Sequence, residues 1–125
     1  MASIRSGNTR IELALRRALW ASGIRGYRVG PSGIPGKPDI FFPRIRYAVF
    51  VNGCFWHCCR RCYREPTTNV RFWRKKISQN RARDKAVVTE LRRRGFTVQV
   101  FWEHQVRDNL SACVKRIFNV FHELA

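Results

Sequence analysis

The sequence predicts a mixed α/β fold in which helices flank a central β-sheet. Short β-rich stretches alternate with longer stretches of helical pattern, as expected of a layered α/β domain. The chain has 125 residues, of which 45% are hydrophobic, so one core of ordinary size can form. No internal repeat or low-complexity linker divides it. We therefore expect residues 1–125 to form a single domain.

The first helix is predicted to begin at a capping box and to end near a glycine. Thr9 and Glu12 have the capping spacing, apolar residues then recur in a helical pattern, and Gly23 interrupts it. A weak strand near Tyr27 and a turn-rich segment at 30–38 follow. The remaining predicted elements are hairpin strands at 39–42 and 47–51, a long helix at 72–94, a central strand at 96–102 and a terminal helix at 110–124.

The charge of the chain indicates a polyanionic partner. There are 25 Lys and Arg against 8 Asp and Glu, a formal net charge of +17. Nucleic acid is the first expectation, because bound Lys and Arg release phosphate counterions, although ribosomal or membrane-surface binding could give the same charge. No apolar run approaches the roughly 20 residues of a transmembrane helix, and the N-terminus lacks a secretory signal. We expect a cytoplasmic protein, nucleoid-associated if bacterial, that binds no membrane.

Four of the five cysteines lie in one segment, GCFWHCCRRCY at 53–63. Structural disulfides are rare in the cytosol, so metal binding is the main hypothesis, and free thiols or a disulfide are the alternative. Cys59 and Cys62 form a CxxC pair that can place two sulfurs on one tetrahedral zinc, and Cys54 can supply a third. An iron–sulfur cluster is less favoured, because four well-spaced cysteines are not available.

The fourth zinc ligand has several candidates. His57 and His104 are the first, followed by Cys58 and Cys113. His104 stands just after the predicted strand at 96–102, where a loop from a neighbouring strand could meet it. Cys113 falls within the apolar pattern of the last helix, which makes it most simply a core residue.

Among the eight acids, Asp39 has the most unusual setting. It follows Pro38 and opens an apolar strand, a position where a carboxylate is unfavourable unless something uses it. A turn or capping aspartate is the alternative on local sequence alone.

Several motifs occur in a fixed order along the chain: PGKPD at 35–39, FVNGCFWH at 50–57, FWxxKxxxNxxxD at 72–84 and VFWEH at 100–104. In this order they resemble the very-short-patch-repair (Vsr) DNA mismatch endonucleases, and the resemblance covers about residues 9–104. It implies a restriction-endonuclease-like fold with a structural zinc loop. It also implies an enzyme that nicks one strand of DNA at a T:G mismatch and requires magnesium.

The resemblance implies catalytic roles for five positions. Asp39 matches the aspartate that binds Mg²⁺, and Val51 matches the residue that offers the metal its main-chain carbonyl. His57 matches the histidine that activates the attacking water. Glu12 and Asp84 match acids that hold metal-bound waters. These roles suit the chemistry, because Mg²⁺ prefers oxygen ligands and a histidine can act as a general base near neutral pH.

The resemblance also implies DNA-contacting and zinc-binding residues. Three aromatic side chains match those that wedge into the duplex beside the mismatch: Phe55, Trp56 and Trp73. Four residues fall on zinc-ligand positions, with Cys58 as a competitor of one of them: Cys54, Cys59, Cys62 and His104. The expected partner is double-stranded DNA carrying a mismatch, bound by a monomer.

The long predicted helix carries four motif residues at intervals of four: Phe72, Lys76, Asn80 and Asp84. This spacing predicts one stripe that could face the active site. Asp84 could instead pair with Arg81 on a solvated face.

Two other functions remain open. A restriction-type or homing-type nuclease of the same fold would cut without a mismatch, and a non-enzymatic zinc module would only bind DNA. The combined presence of Glu12, Asp39, His57 and Asp84 argues against the module. Only the resemblance favours mismatch nicking over the other nuclease.

The local sequence also allows simpler roles for the same residues. Phe55 and Trp56 could pack over a zinc knuckle, His57 could be a zinc ligand, and Glu12 could act only as a helix cap.

Overall fold

The computed structural model describes residues 10–31, 33–54 and 64–125. These ranges form a small three-stranded sheet flanked by helices, which confirms the predicted mixed α/β class. None of their helices combines the length and apolar character needed to cross a membrane. The elements in chain order are α1 (Arg10–Ala21), β1 (Ile40–Phe42), β2 (Tyr47–Asn52), α2 (Val70–Arg93), β3 (Thr97–Trp102), α3 (Glu103–Asp108) and α4 (Leu110–Leu124).

The strand order in the described part of the sheet is β1-β2-β3. β1 and β2 form the predicted antiparallel hairpin, and β3 runs parallel to β2. The prediction that the strand at 96–102 is central was wrong, because β2 lies between the other two strands. The hairpin leaves one edge of β2 open, and α2 returns the chain so that β3 pairs with that edge.

The weak strand predicted near Tyr27 is also not a strand of the described sheet. Arg28 forms a single antiparallel bridge with Phe41, with N–H···O distances of 2.7 and 2.8 Å. Gly26 and Gly30 on either side have φ of 86° and 54°, left-handed values that interrupt an extended chain.

The two faces of the sheet carry separate apolar clusters. Successive strand residues point to opposite faces, so neighbouring positions of one strand belong to different clusters. One face packs against α1, α3 and α4, and the other against the C-terminal half of α2. The strand residues of the first face are Ile40, Phe42, Tyr47, Val49, Val51 and Phe101. Those of the second face are Phe41, Ala48, Phe50 and Val98.

Two helices end at the glycines that the sequence predicted as stops. Gly23 has φ of 85°, and the N–H of Ile24 reaches back to the carbonyl of Leu19 at 3.0 Å. Gly95 has φ of 90°, and the N–H of Phe96 reaches back to Leu91 at the same distance. This pattern satisfies carbonyls that a helix end would otherwise leave without donors. The predicted capping box of α1 involves Thr9, which lies outside the described residues.

Helix α2 is much longer than the sheet against which it packs. Its 24 residues span about 36 Å, while a six-residue strand spans about 20 Å. A short connection joins its C-terminus to β3, so the two elements run in opposite directions. The N-terminal turns of α2 therefore extend past the end of the sheet at which β2 and β3 finish.

The predicted stripe of four residues on α2 does not stay on one face. Phe72 is 58% exposed and Lys76 is exposed, whereas Asn80 is buried and Asp84 is half-buried. Each step of four residues turns the helix by about 400°, so positions 72 and 84 differ by about 120° around the axis. Only the C-terminal half of the set faces the protein.

Candidate active site and zinc-binding pair

Four of the predicted site residues that the structure describes lie at one end of the sheet: Asp39, Val51, Cys54 and His104. β1 begins there, β2 and β3 finish there, and we call it the site end. Asp39, Asn52 and Trp102 mark the three strand ends. The opposite end, which we call the turn end, contains the hairpin turn at 43–46 and the connection from α2 to β3.

Asp39 lies at the site end and is held against the main chain of β2. The N–H of Val51 donates a hydrogen bond of 2.6 Å to Oδ2 of Asp39. Asp39 is half-buried, and Pro38 before it is fully buried. The structure therefore brings together the two residues that the resemblance assigned to magnesium. Whether they bind the metal stays a prediction.

A tight turn delivers Asp39 to this position. The N–H of Lys37 donates to the carbonyl of Ile34 at 3.0 Å, with Pro35 and Gly36 between them, and Gly36 has φ of 77°. Proline followed by a glycine of positive φ is the pattern of a type II turn. Lys37 itself has φ of 47°, which is unusual for a residue with a Cβ.

Gly36 also allows a close approach that the sequence did not reveal. A Cβ at this position would lie 2.5 Å from Cγ1 of Val87 on α2 and 3.2 Å from the ring of Phe50 on β2. The turn thus packs directly on the second apolar cluster. The sequence predicted a turn here, but it carried no signal that one glycine touches two distant elements.

Glu12 and Asp84 come from helices on opposite faces of the sheet. Glu12 on α1 is only 6% exposed, and Asp84 on α2 is half-buried. Carboxylates are seldom buried to the extent of Glu12, which favours a specific role over that of an ordinary helix cap. Asn80, one turn before Asp84, is buried as well.

Cys54 and His104 form a buried pair at the site end. Sγ of Cys54 lies 3.4 Å from Nδ1 of His104, and the residues are 7% and 9% exposed. Sulfur and nitrogen ligands of one tetrahedral zinc, at about 2.3 and 2.0–2.1 Å from the metal, lie about 3.5 Å apart. The spacing of this pair therefore fits two ligands of a single zinc ion.

The other predicted zinc ligands, Cys59 and Cys62, lie outside the described ranges, as do the competitor Cys58 and the alternative ligand His57. Within residues 10–31, 33–54 and 64–125, no group of three or more potential metal ligands gathers. Cys113 is described and lies in the first apolar cluster, as its position in the helical pattern predicted. Burial raises the pKa of its thiol.

Glu103 is a site-end residue that the sequence analysis missed. Its Oε1 accepts a hydrogen bond of 3.3 Å from the main-chain N–H of Cys54. It begins α3, a six-residue helix too short for hydrophobic periodicity to indicate. The side chain of Gln105 closes the start of this helix by accepting a bond of 2.7 Å from the N–H of Trp102. The sequence signal that could have identified Glu103 is its position beside His104 in the VFWEH motif.

Of the three aromatic residues predicted to enter DNA, the structure describes Trp73. It lies half-buried in the first turn of α2, with its ring edge toward Phe72 at a centroid distance of 5.0 Å. This turn belongs to the part of α2 that extends past the sheet at the site end. Phe55 and Trp56 lie outside the described residues.

Comparison with known proteins identifies the family. The profile of the family described as DNA mismatch endonuclease Vsr matches residues 1–64. The chain belongs to the Vsr family. The predicted family and the predicted enzyme class, a DNA endonuclease, are thereby confirmed. Membership is consistent with the predicted restriction-endonuclease-like fold.

Individual relatives match between 86% and 98% of the chain. The type II nicking enzyme V.XorIIP of Xanthomonas oryzae is 40% identical over 96% of this chain and 88% of its own length. The type II nicking enzyme V.NaeI of Lentzea aerocolonigenes is 38% identical over 98% of this chain and 76% of its own length. The DNA mismatch endonuclease Vsr of Escherichia coli is 35% identical over 86% of this chain and 69% of its own length.

Proposed function

We propose that this Vsr-family endonuclease nicks one strand of double-stranded DNA at or beside a T:G mismatch and depends on Mg²⁺. The names of its relatives support the nicking and the mismatch, since several are nicking enzymes and one is a DNA mismatch endonuclease. The single structural observation that carries the proposal is the Asp39 carboxylate held at the site end, 2.6 Å from the main-chain nitrogen of Val51.

The residues at the site end fit a magnesium site by their donor chemistry. Mg²⁺ takes oxygen ligands and keeps several waters. The Asp39 carboxylate and the Val51 carbonyl would hold it, and Glu12 and Asp84 would accept hydrogen bonds from its waters. When bound, the ion offsets the charge that develops on the phosphate during hydrolysis. The burial of Glu12 and the partial burial of Asp84 support this role, because both acids turn toward the protein.

His57 would act as the general base. It would take one proton from a water whose oxygen attacks the phosphorus, while the bond from phosphorus to the leaving sugar oxygen breaks. A positioned histidine contributes about 10²–10⁴-fold to such a proton transfer. His57 is three residues beyond Cys54, whose side chain and main chain are held by His104 and Glu103. This anchoring at the start of the loop supports the assignment.

Zinc would be bound by Cys54, Cys59, Cys62 and His104, with Cys58 as the competitor of Cys59. The 3.4 Å spacing of Cys54 and His104 supports this proposal. Zinc would tie the cysteine loop to the start of α3. The loop would then present Phe55 and Trp56 to the DNA, and α2 would present Trp73. Wedging between base steps costs a few kcal/mol per step, and a mismatched pair is easier to open, which would give selectivity.

A nicking assay tests this function directly. The purified protein is incubated with Mg²⁺ or with a chelator and with labelled duplexes that differ only in a T:G or a T:A pair. We expect one strand of the T:G duplex to be cut in the presence of Mg²⁺, by a protein that gel filtration shows to be a monomer. Equal cutting of both duplexes would favour the restriction-type or homing-type alternative. Binding without cutting would favour the non-enzymatic zinc module.

A further inference from the structure

Four cations form one stripe along α2, apart from the residues assigned to catalysis. They are Arg74, Arg81, Lys85 and Arg92, and we call them the α2 stripe. Their spacing of seven, four and seven residues keeps them within an arc of about 40° around the helix, and the stripe is about 27 Å long. The helix buries Ile77, Asn80 and Leu91 on a neighbouring side. The stripe therefore occupies a solvent-facing flank.

A groove of about 530 Å³ runs along the same flank. Three of the four stripe cations line it, together with Glu65, Ile77, Ser78 and Ala82. The acid of this groove is already engaged, because Glu65 accepts hydrogen bonds of 2.6 and 3.1 Å from Arg74. This contact holds the pKa of Glu65 below its usual value. The groove is thus left with a net positive wall.

Two of the remaining stripe cations, Arg81 and Lys85, are not explained by the stability of the fold. Arg81, Lys85 and Arg92 are exposed, and the described ranges show no carboxylate bound to any of them. Arg93 behaves differently, since Glu90 binds it at 2.7 Å. A cation near a helix C-terminus favours the dipole, which can account for Arg92. Arg81 and Lys85 lie in the middle of the helix, where that effect is absent.

We propose that the α2 stripe binds the phosphate backbone of the duplex that flanks the nicking position, an inference that rests on the proposed function. DNA fits the stripe because phosphate groups of both strands border each groove of the duplex at regular intervals. At a rise of 3.4 Å per base pair, a stripe of this length spans about eight base pairs when it lies along the duplex axis. The stripe also begins one residue after Trp73, the aromatic residue proposed to enter the duplex at the site end. Flanking DNA would continue from that point along α2.

The test is a triple variant, Arg81→Gln, Lys85→Gln and Arg92→Gln. Binding is measured by fluorescence anisotropy at several salt concentrations, with duplexes of about 10 and about 30 bp around the same T:G pair. Each phosphate contact contributes about 0.9 to the slope of log affinity against log salt. We expect the slope for the long duplex to become shallower by about two to three and its affinity at low salt to fall by about tenfold or more. The short duplex extends about 17 Å to either side of the T:G pair, which reaches Arg81 and Lys85 but not Arg92, so its slope should change less than that of the long duplex.

A matched control removes the same charge elsewhere. The variant Arg17→Gln, Arg28→Gln and Lys115→Gln changes exposed cations outside α2 and should leave the slope for the long duplex close to that of the parent. An equal loss in this control would overturn the proposal in favour of a general charge effect. So would an unchanged slope in the stripe variant, or an equal loss on both duplexes. Nicking by the parent protein of the short T:G duplex, compared with the matched T:A duplex, tests the proposed function separately from this inference.

Discussion

The two ends of the sheet hold their polar groups in different ways. At the turn end, Arg46 donates to the main-chain carbonyl of Arg94 at 3.4 Å, and its own carbonyl accepts from the N–H of Thr97 at 2.9 Å. At the site end, a carboxylate side chain binds the main chain of Val51, and a buried thiol meets a buried imidazole. The turn end thus relies on main-chain acceptors, and the site end on particular side chains.

This difference predicts where substitutions matter. Main-chain hydrogen bonds survive most side-chain changes, so the turn end should tolerate substitution with small losses. Removing one member of a buried polar pair leaves its partner unsatisfied, which costs about 1–3 kcal/mol or more for charged groups. Substitutions at the site end should therefore change metal content, activity or folding.

The largest effect is expected at Asp39. Asp39→Ala should abolish nicking, a loss of at least about 10²–10³-fold for a group that stabilises charge in the transition state. DNA binding should stay the same or become tighter, because a negative charge near phosphate is removed. Steady-state nicking and anisotropy binding on the T:G duplex measure both. Asp108→Ala, which removes an exposed acid from the end of α3, is the control and should remain active. An active Asp39→Ala protein would exclude the magnesium assignment.

His57→Ala should reduce the nicking rate by about 10²–10⁴-fold if this histidine is the general base. Zinc content, measured by elemental analysis, should be unchanged, because the proposed zinc ligands are intact. A variant that is folded, zinc-loaded and slow supports the catalytic role. A variant that has lost zinc would show that His57 is a ligand instead, and full activity would rule out both roles.

His104→Ala should have the complementary effect. Loss of a zinc ligand should lower the zinc content below one per chain and lower the thermal midpoint, because binding energy in such sites is also folding energy. The pair formed with Cys54 at 3.4 Å is lost in this variant. His122→Ala on the exposed side of α4 is the matched control and should keep its zinc. Undiminished zinc in His104→Ala would place the fourth ligand elsewhere.

A smaller effect is expected from the turn that delivers Asp39. Gly36→Ala meets a φ of 77° and a contact of 2.5 Å with Val87, so it should destabilise the fold by about 1–3 kcal/mol. Gly33 also has a left-handed φ, 88°, but a Cβ added there would have no atom within 4 Å. Gly33→Ala therefore measures the cost of the backbone conformation without a steric contact. Urea unfolding compares the two. If contact with α2 matters, Gly36→Ala is the less stable variant and Val87→Ala partly rescues it. Equal stability would mean that the close approach costs nothing.

The smallest effect is expected on α2 near the turn end. Hydrogen bonds from Arg93 and Arg94 lower the pKa of Glu90 to about 2 from 4.5. A carboxyl group whose pKa is lower in the folded state stabilises the fold at pH values above its unfolded-state pKa. This stabilisation is lost as the pH falls through the folded-state pKa. Glu90→Gln should therefore lower the thermal midpoint slightly at pH 7. The difference should shrink as the pH falls from about 4.5 toward 2, and a constant difference would point to another cause.

Local patterns in the sequence were sufficient to predict most of the elements. The terminal helix at 110–124 was predicted with the bounds that the structure has, and the stops at Gly23 and Gly95 were correct. These features depend on neighbouring residues only, through helical periodicity and the positive φ that glycine permits. Helix α3 was missed because six residues are fewer than two helical turns. The strand at 96–102 was placed in the centre because apolar character does not reveal which strand it will pair with.

The sequence by itself determined the family and the residue types at the site, because motif order and ligand chemistry can be read along the chain. It did not determine which of those residues meet. Asp39 and Val51 are 12 positions apart, and Cys54 lies 49 and 50 positions from Glu103 and His104. Their contacts exist because β2 pairs with β1 on one side and β3 on the other, which brings three strand ends together. That pairing depends on long-range packing of two apolar clusters, and no local pattern encodes it.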